Sequence, residues 1–192
     1  MQHPHDLEEA HLSAARANAF PLPCTPAQKV PSMNKTELLK QVIARLEDDL
    51  LQAQQAALTA YETATHEENI AENKYDTLGL EASYLATGQA RRAAAIRQTL
   101  ANWKLLVLRA FDPLLGIQLG ALIELSDDED RRQCLFLGPD GAAMKLQQDG
   151  QSIQVIGPQA PLGLILIGKT VGDEVTLHVA SGVQLLEILS VD

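Results

Sequence analysis

Two long amphipathic segments separated by a short polar turn restrict the possible fold more than any other feature of this sequence. In the first segment, apolar residues recur at alternating spacings of four and three, at Leu39, Ile43, Leu46, Leu50, Ala53, Ala57, Ala60 and Ala64. Such a seam is typical of a helix that packs along a second helix. Because the seam residues become smaller along the segment, the helix pair is predicted to be narrow at its far end.

The first helix is predicted to begin near Asn34, which can cap free backbone N–H groups, with Glu37 three residues later as in a capping box. The second segment has a less regular seam, formed by Leu78, Ala82, Leu85, Ala93, Ile96, Leu100, Trp103 and Val107. Pro113 ends this segment near Phe111. Each segment has about 32 residues and would span roughly 48 Å. The sequence therefore predicts an antiparallel helical hairpin over residues 34–110.

After Pro113 the apolar pattern changes to the period of β-strands. Turn signals such as Pro139-Asp140-Gly141 and Asp149-Gly150 separate the predicted strands. These strands are Ile117–Leu125, Gln133–Leu137, Ala143–Gln147, Ser152–Ile156, Glu174–Val179 and Val183–Leu189. Pro161–Ile167 is predicted to be a short helix, with Gly168 beyond its end. The predicted fold class is α+β: a helical hairpin followed by a small antiparallel β domain with one short helix, over residues 111–192.

Residues 1–33 differ from the rest because they contain Pro4, Pro21, Pro23, Pro26 and Pro31. Proline blocks helix interiors, so this part is predicted to be a flexible extension. Met33 directly precedes the predicted helix start, and one hypothesis is that translation begins there. The first residues lack the basic start and apolar run of a signal peptide, so a cytoplasmic location and no membrane contact are expected.

Charge is distributed unevenly along the predicted hairpin, although the whole chain carries −10. Its turn is acidic, with Glu62, Glu67, Glu68, Glu72 and Asp76. Residues 90–110 of the second helix contain no acid but hold Arg91, Arg92, Arg97, Lys104 and Arg109. Charge runs usually mark solvated helix faces. The alternative is an acidic tip that reaches a metal ion or cationic pocket, and a basic shaft that meets phosphates or an acidic protein wall.

Two segments resemble the Gre transcript-cleavage factors. Residues 69–73, Asn-Ile-Ala-Glu-Asn, resemble the family's Asp-x-x-Glu-Asn. Residues 160–169, followed by Val-Gly-Asp at 171–173, resemble the family's Ser-Pro-x-(small)-x-x-Leu-(Ile/Leu)-Gly-Lys and Val-Gly-Asp. The likeness extends from about Met33 to the end of the chain. It implies a coiled-coil hairpin with its tip at residues 66–76, followed by an FKBP-like carboxyl-terminal domain.

The resemblance also implies the partner, which is the core of RNA polymerase. The carboxyl-terminal domain of such factors docks at the rim of the polymerase secondary channel, through a loop whose proline corresponds to Pro161. The hairpin enters that channel, and its tip carboxylates help to hold a second Mg²⁺ in the polymerase active site. Polymerase then cleaves backtracked RNA, so contact with the RNA 3′ end is indirect. The chain itself is expected to be a monomer, to have no enzymatic activity, and to bind no cofactor or stable metal of its own.

The tip departs from the family pattern at one position, because Asn69 occupies the place of the family's aspartate. An asparagine offers a carbonyl oxygen but no charge. Glu72 matches the family's acid, and Glu68 and Asp76 are candidates to replace the missing charge. Two functions therefore stay open: stimulation of RNA cleavage, or occupation of the channel without cleavage.

The residues also bear on two functions of other classes. Prolyl isomerases of FKBP-like fold need an aromatic pocket, but Phe111 and Phe136 are the only aromatic residues from position 110 onward. Isomerase activity is therefore not expected. A coiled-coil interaction protein unrelated to polymerase stays possible, because an alanine-rich seam supports pairing with another helix.

Overall fold

The computed structural model describes residues 34–65, 78–180 and 182–192. Two long helices, α1 (Lys35–Thr65) and α2 (Leu78–Lys104), precede the strands β1 (Leu122–Asp127), β2 (Arg132–Leu137), β3 (Met144–Gln148) and β4 (Gln151–Ile156). A short helix, α3 (Pro161–Leu166), and the strands β5 (Glu174–Val179) and β6 (Gly182–Val191) follow. The predicted fold class is confirmed: a helical region is followed by a small, mostly antiparallel sheet with one short helix.

The start of α1 is the one that the capping pattern predicts. The Asn34 side-chain oxygen accepts hydrogen bonds from the backbone N–H groups of Thr36, at 3.0 Å, and Glu37, at 3.3 Å. The Thr36 N–H comes before the first helical hydrogen bonds, so the asparagine side chain satisfies it, whereas the Glu37 N–H also donates to the Asn34 backbone carbonyl at 3.0 Å.

The two long helices pack antiparallel, and together we call them the arm. Glu47 of α1 pairs with Lys104 at the end of α2, while Ala60 and Ala82 lie together near the other end. In α2 the buried and half-buried residues alternate by four and three throughout, at Ala82, Ala86, Gln89, Ala93, Ile96, Leu100 and Trp103. The predicted seam was irregular in the middle because it included Leu85, which is 56% exposed. Ala86 and Gln89 occupy the seam there instead.

The prediction that α2 continues to about Phe111 was wrong, because the helix ends at Lys104. Over residues 105–109 exposure alternates, with Leu106 and Leu108 half-buried and Leu105 and Val107 exposed. A period of two belongs to extended chain and not to a helix. The apolar run was thus read with the wrong period, and Val107 is not part of the helical seam.

The strands form one sheet in the order β3-β4-β2-β1-β6-β5. The β2–β4 pair is parallel, and the other neighbours are antiparallel. The strand predicted to begin at Ile117 begins at Leu122. Gly116 and Gly120 have φ of +69° and +90°, so the chain turns there before the strand starts.

Both faces of the sheet are covered, and each cover forms a separate apolar core. On one face the base of the arm contributes Leu38, Val42, Leu46, Leu100 and Trp103, which pack on Leu122, Phe136, Leu146, Ile153 and Val155. On the other face α3 and the segment before β1 contribute Leu166 and Ile117, which pack on Ile123, Leu125, Leu135, Leu137 and Ile188. Each fully buried side chain of this size stabilises the fold by roughly 1.5–3 kcal/mol. The arm is therefore fixed to the sheet by a core of its own.

The base of the arm also corrects the predicted seam of α1. Leu38 and Val42 are fully buried, whereas the predicted seam residues Leu39 and Ile43 are only half-buried. A single seam accounts for one partner, but here α1 packs on both α2 and the sheet. No helix in the described ranges is long and apolar enough to cross a membrane.

Candidate functional site

The tip candidates Glu68, Asn69, Glu72 and Asp76 lie outside the described residues. Their roles stay predictions from the sequence. The structure describes the helices that lead to them: α1 ends at Thr65 and α2 begins at Leu78.

The reach of the arm follows from the length of α1. Its 31 residues correspond to about 46 Å of helix. Leu50 is the last residue of α1 that packs against the core at the base. About 15 further residues, or roughly 22 Å of helix, extend beyond that core up to Thr65. This far half of the arm is where small residues form the seam, with Ala53 and Ala60 buried.

Pro161 occupies the first position of α3, and its side chain is exposed. Residues 157–161, which we call the docking loop, fold back on the start of that helix. Ala160 N–H donates to the Gly157 carbonyl at 3.2 Å, and Leu164 N–H donates to the Ala160 carbonyl at 2.9 Å. Gly163 lies so close to the Gly157 carbonyl that a Cβ there would collide with it. The loop therefore presents Pro161 on a compact surface.

The docking loop is held by a residue that the sequence reasoning assigned only to a turn. The Asp140 carboxylate accepts a hydrogen bond from the Gln159 N–H at 3.4 Å. The same carboxylate lies against Gly157, where a Cβ would collide with it. No sequence signal identifies this contact, because Asp140 is 19 positions from Gln159 and its Pro-Asp-Gly context is that of an ordinary turn.

Four of the five basic residues predicted for this stretch, Arg91, Arg92, Arg97 and Lys104, are exposed on α2, and Arg109 lies beyond its end. Arg97 and Lys104 are seven positions apart and share one face of the helix, whereas Arg91 and Arg92 diverge by about 100° and point elsewhere. Lys104 also forms an ion pair of 2.6 Å with Glu47, which offsets its charge. The positive charge is thus distributed around the helix and is not gathered into one patch.

The described residues include the free thiol of Cys134, which lies half-buried on β2. Burial is the main cause that raises the pKa of the Cys134 thiol, so little reactive thiolate is present. In the same residues no group of three or more His, Cys, Asp or Glu side chains has the geometry to hold a metal ion. The far half of the arm instead has an apolar groove, lined by Ala56, Thr59, Ala60, Ala82 and Leu85 among others.

Comparison with known proteins identifies the carboxyl-terminal domain. Residues 116–192 match the family model for the carboxyl-terminal domain of the transcription elongation factors GreA/GreB. This domain is similar to the carboxyl-terminal domains of the GreA/GreB family. The match begins at the turn before β1 and contains every strand of the sheet, α3 and the docking loop. A search of curated protein sequences gives no significant match.

Solved structures with a similar layout include GreA/GreB-type factors and their homologues. A crystal structure of Thermus aquaticus Gfh1 is 19% identical, with a TM-score of 0.36, and the alignment covers 82% of this chain and 93% of that one. Gfh1, GreA factor homolog 1, of Thermus thermophilus is 22% identical with a TM-score of 0.34, covering 81% and 93%. A GreA/GreB factor from Nitrosomonas europaea is 20% identical with a TM-score of 0.33, covering 52% and 78%. Similarities of this size do not bear on activity.

Proposed function

We propose that this chain is a transcription elongation factor that binds the core of RNA polymerase and places its helical arm in the secondary channel. The observation that carries the proposal is the combination of a GreA/GreB-type domain at residues 116–192 with a long two-helix arm fixed on the sheet of that same domain. The domain supplies the docking surface around Pro161. The arm supplies the reach, about 46 Å from its base to the end of α1.

The base of the arm explains how docking of one domain would direct the other. Trp103, Leu38 and Val42 of the arm are fully buried against the sheet. Because tilting the arm would expose these side chains to water, the arm follows the orientation of the domain. A domain bound at the rim of a channel would then aim the tip into it.

The composition of the tip favours occupation of the channel over efficient RNA cleavage. Holding a transient Mg²⁺ in the polymerase active site requires negative charge and hard oxygen ligands. Asn69 supplies an oxygen but no charge where the family has an aspartate. In this proposal the protein modulates polymerase by its presence in the channel, and it competes there with cleavage-active factors.

Binding to polymerase tests the proposal directly. The full chain should co-purify with core RNA polymerase at moderate salt, and Pro161→Ala should weaken binding. Pro113→Ala is the matched control, because Pro113 is also exposed but lies outside the docking loop. Failure of the unaltered chain to bind core polymerase would overturn the proposal. If both substitutions weaken binding to polymerase equally, the docking loop is not the binding surface.

Transcript cleavage on stalled polymerase complexes separates the two modes of action. The unaltered chain should stimulate cleavage weakly, and Asn69→Asp should increase it because the substitution restores the family's charge. Glu68→Gln serves as a control that removes a neighbouring acid. Strong cleavage by the unaltered chain, lost in Glu68→Gln, would instead assign the missing charge to Glu68.

An enzymatic function of the carboxyl-terminal domain is not part of the proposal. Phe136 is fully buried and packs on Trp103, with ring centroids 6.0 Å apart and planes inclined by 52°. An aromatic ring that stabilises the core cannot line an open pocket for proline. An assay of prolyl isomerisation should therefore give the uncatalysed rate.

A second candidate function, pairing of the arm with another helix, is favoured by its exposed apolar surface. Tyr61, Tyr84 and Leu85 are 60%, 70% and 56% exposed, and Leu85 lines the groove of the far half. Light scattering after size exclusion distinguishes this function. A monomer supports insertion into a channel, whereas a stable dimer lost in Leu85→Gln would support self-association.

A further inference from the structure

One loop contacts both the arm and the docking loop. Residues 138–142, between β2 and β3, lie between the end of α2 and residues 157–160. We call this segment the joint. It is short, and its contacts are made by Gly138, Asp140 and Gly141.

The arm side of the joint is a close approach of backbone to side chain. The Trp103 ring lies directly on Gly138, where a Cβ would collide with it. One helical turn earlier, the Thr99 hydroxyl lies on Gly141, which also has φ of +93°. Only glycine fits both positions, because any side chain would push α2 away from the sheet.

The docking side of the joint depends on Asp140. Its carboxylate lies against Gly157 and accepts the hydrogen bond from the Gln159 N–H. The backbone adds a second link, since Gly138 N–H donates to the Ile156 carbonyl at 3.0 Å, directly before the docking loop. Arm and docking loop are thus connected through five consecutive residues of one loop.

We infer that the joint fixes the direction of the arm relative to the docking loop, and that Asp140 is the positioning residue that holds the loop to it. A long arm needs such a device, because a tilt of about 10° at its base moves the end of the roughly 22 Å of helix beyond the core by about 4 Å. Tolerances in functional sites are roughly 0.5 Å, so small errors at the base are large at the tip. The consequence for polymerase rests on the proposed function, whereas the coupling itself is a property of the free protein.

Distances between spin labels on the full chain test the coupling without polymerase. The background replaces the native thiols by Cys24→Ser and Cys134→Ala. One label pair joins the arm to the docking loop, through Leu58→Cys and Gln159→Cys. The Gln159→Cys substitution keeps the backbone N–H that Asp140 binds. The other pair joins the arm to β6, through Leu58→Cys and Val183→Cys. Leu58, Gln159 and Val183 are all exposed.

Asp140→Ala should broaden the distance distribution of the first pair by roughly twofold and leave the second pair unchanged. Asp140→Asn should restore the narrow distribution, because its amide oxygen still accepts the hydrogen bond. If Asp140→Ala does not fold, Asp140→Glu is the second variant, since it moves the carboxylate by one methylene and should also broaden the first pair. A purely structural role would loosen both pairs together and would not be rescued by asparagine.

Three results would overturn the inference: an unchanged first pair in Asp140→Ala and Asp140→Glu, equal broadening of both pairs, or no rescue by asparagine. Binding to core polymerase is measured separately, where Asp140→Ala should weaken affinity by about fivefold, the usual effect of one lost hydrogen bond. Selective broadening without any polymerase binding would retain the joint and reject the proposed function. Normal binding to polymerase, together with no broadening of the first pair in Asp140→Ala, would reject the joint and retain the proposed function.

Discussion

The base and the far half of the arm belong to the same two helices but are stabilised differently. The base packs on the sheet with large side chains, and Leu38, Val42 and Trp103 are fully buried. Among the described residues, the two helices of the far half pack on each other through small residues, and Leu58, Tyr61 and Tyr84 are 49%, 60% and 70% exposed. One stretch of helix thus changes from part of a core to a thin projection. The difference indicates that the base contributes more to the stability of the fold than the far half does.

The largest expected contrast is between two aromatic residues of α2. Trp103→Ala should lower the free energy of unfolding by about 3–5 kcal/mol, because it empties a space in a packed core. Tyr84→Ala should change it by less than about 0.5 kcal/mol, because that side chain is 70% exposed. Urea denaturation of both variants measures the contrast. Similar losses would mean that the far half is as strongly packed as the base.

The glycine beneath Trp103 gives the next largest effect. Gly138→Ala should cost about 1–3 kcal/mol, because the added methyl group forces the ring or the strand to move. The same substitution should also shift the spin-label distance from the arm to β6. A fully stable variant with an unchanged distance would show that the base of the arm tolerates repacking.

A glycine-to-alanine substitution in the middle of α2 should have the opposite effect on stability. Gly88 lies inside α2 with open space around its Cα, so Gly88→Ala should raise stability by about 0.5–1 kcal/mol. Thermal unfolding monitored by circular dichroism detects a change of this size in stability. A destabilised variant would indicate that Gly88 makes a contact within the hairpin.

The smallest effect is expected for the ion pair that joins the two helices at the base. Lys104 and Glu47 are about half exposed, so Lys104→Met should cost no more than about 0.5 kcal/mol. The cost should shrink further at high salt, because exposed charges are screened. A double-mutant cycle with Glu47→Gln isolates the pair, and a large salt-independent coupling would contradict this estimate.

Local signals in the sequence were sufficient to predict an element correctly where each pattern had a single physical cause. Asn34 as the cap of α1, β5 over Glu174–Val179 and Pro161 in the first turn of α3 all follow from side-chain chemistry and spacing. They failed where an apolar residue had two explanations. Leu38 and Val42 were overlooked because their partner is the sheet, and residues 105–109 were assigned to a helix because a continuous apolar run fits both periods.

In the candidate site, too, some residues could be predicted from local sequence signals and others could not. Pro161 was predicted from a motif, and the structure places it at the exposed start of α3. Asp140 was not predicted, since its contact with Gln159 spans 19 positions and involves a backbone N–H that carries no sequence signal. The four basic residues of α2 are exposed, and their distribution around the helix separates them more than the linear sequence suggests.

The sequence by itself determined that this protein has two long helices and a small sheet, because helix caps, apolar periods and turn residues act over a few positions. Only the tertiary structure decided where the arm is rooted and what holds its direction. Those properties come from Trp103 on Gly138, Thr99 on Gly141 and Asp140 on Gly157. Such contacts arise when distant segments of chain are brought together by burial, and the individual residues give no sign of them beforehand.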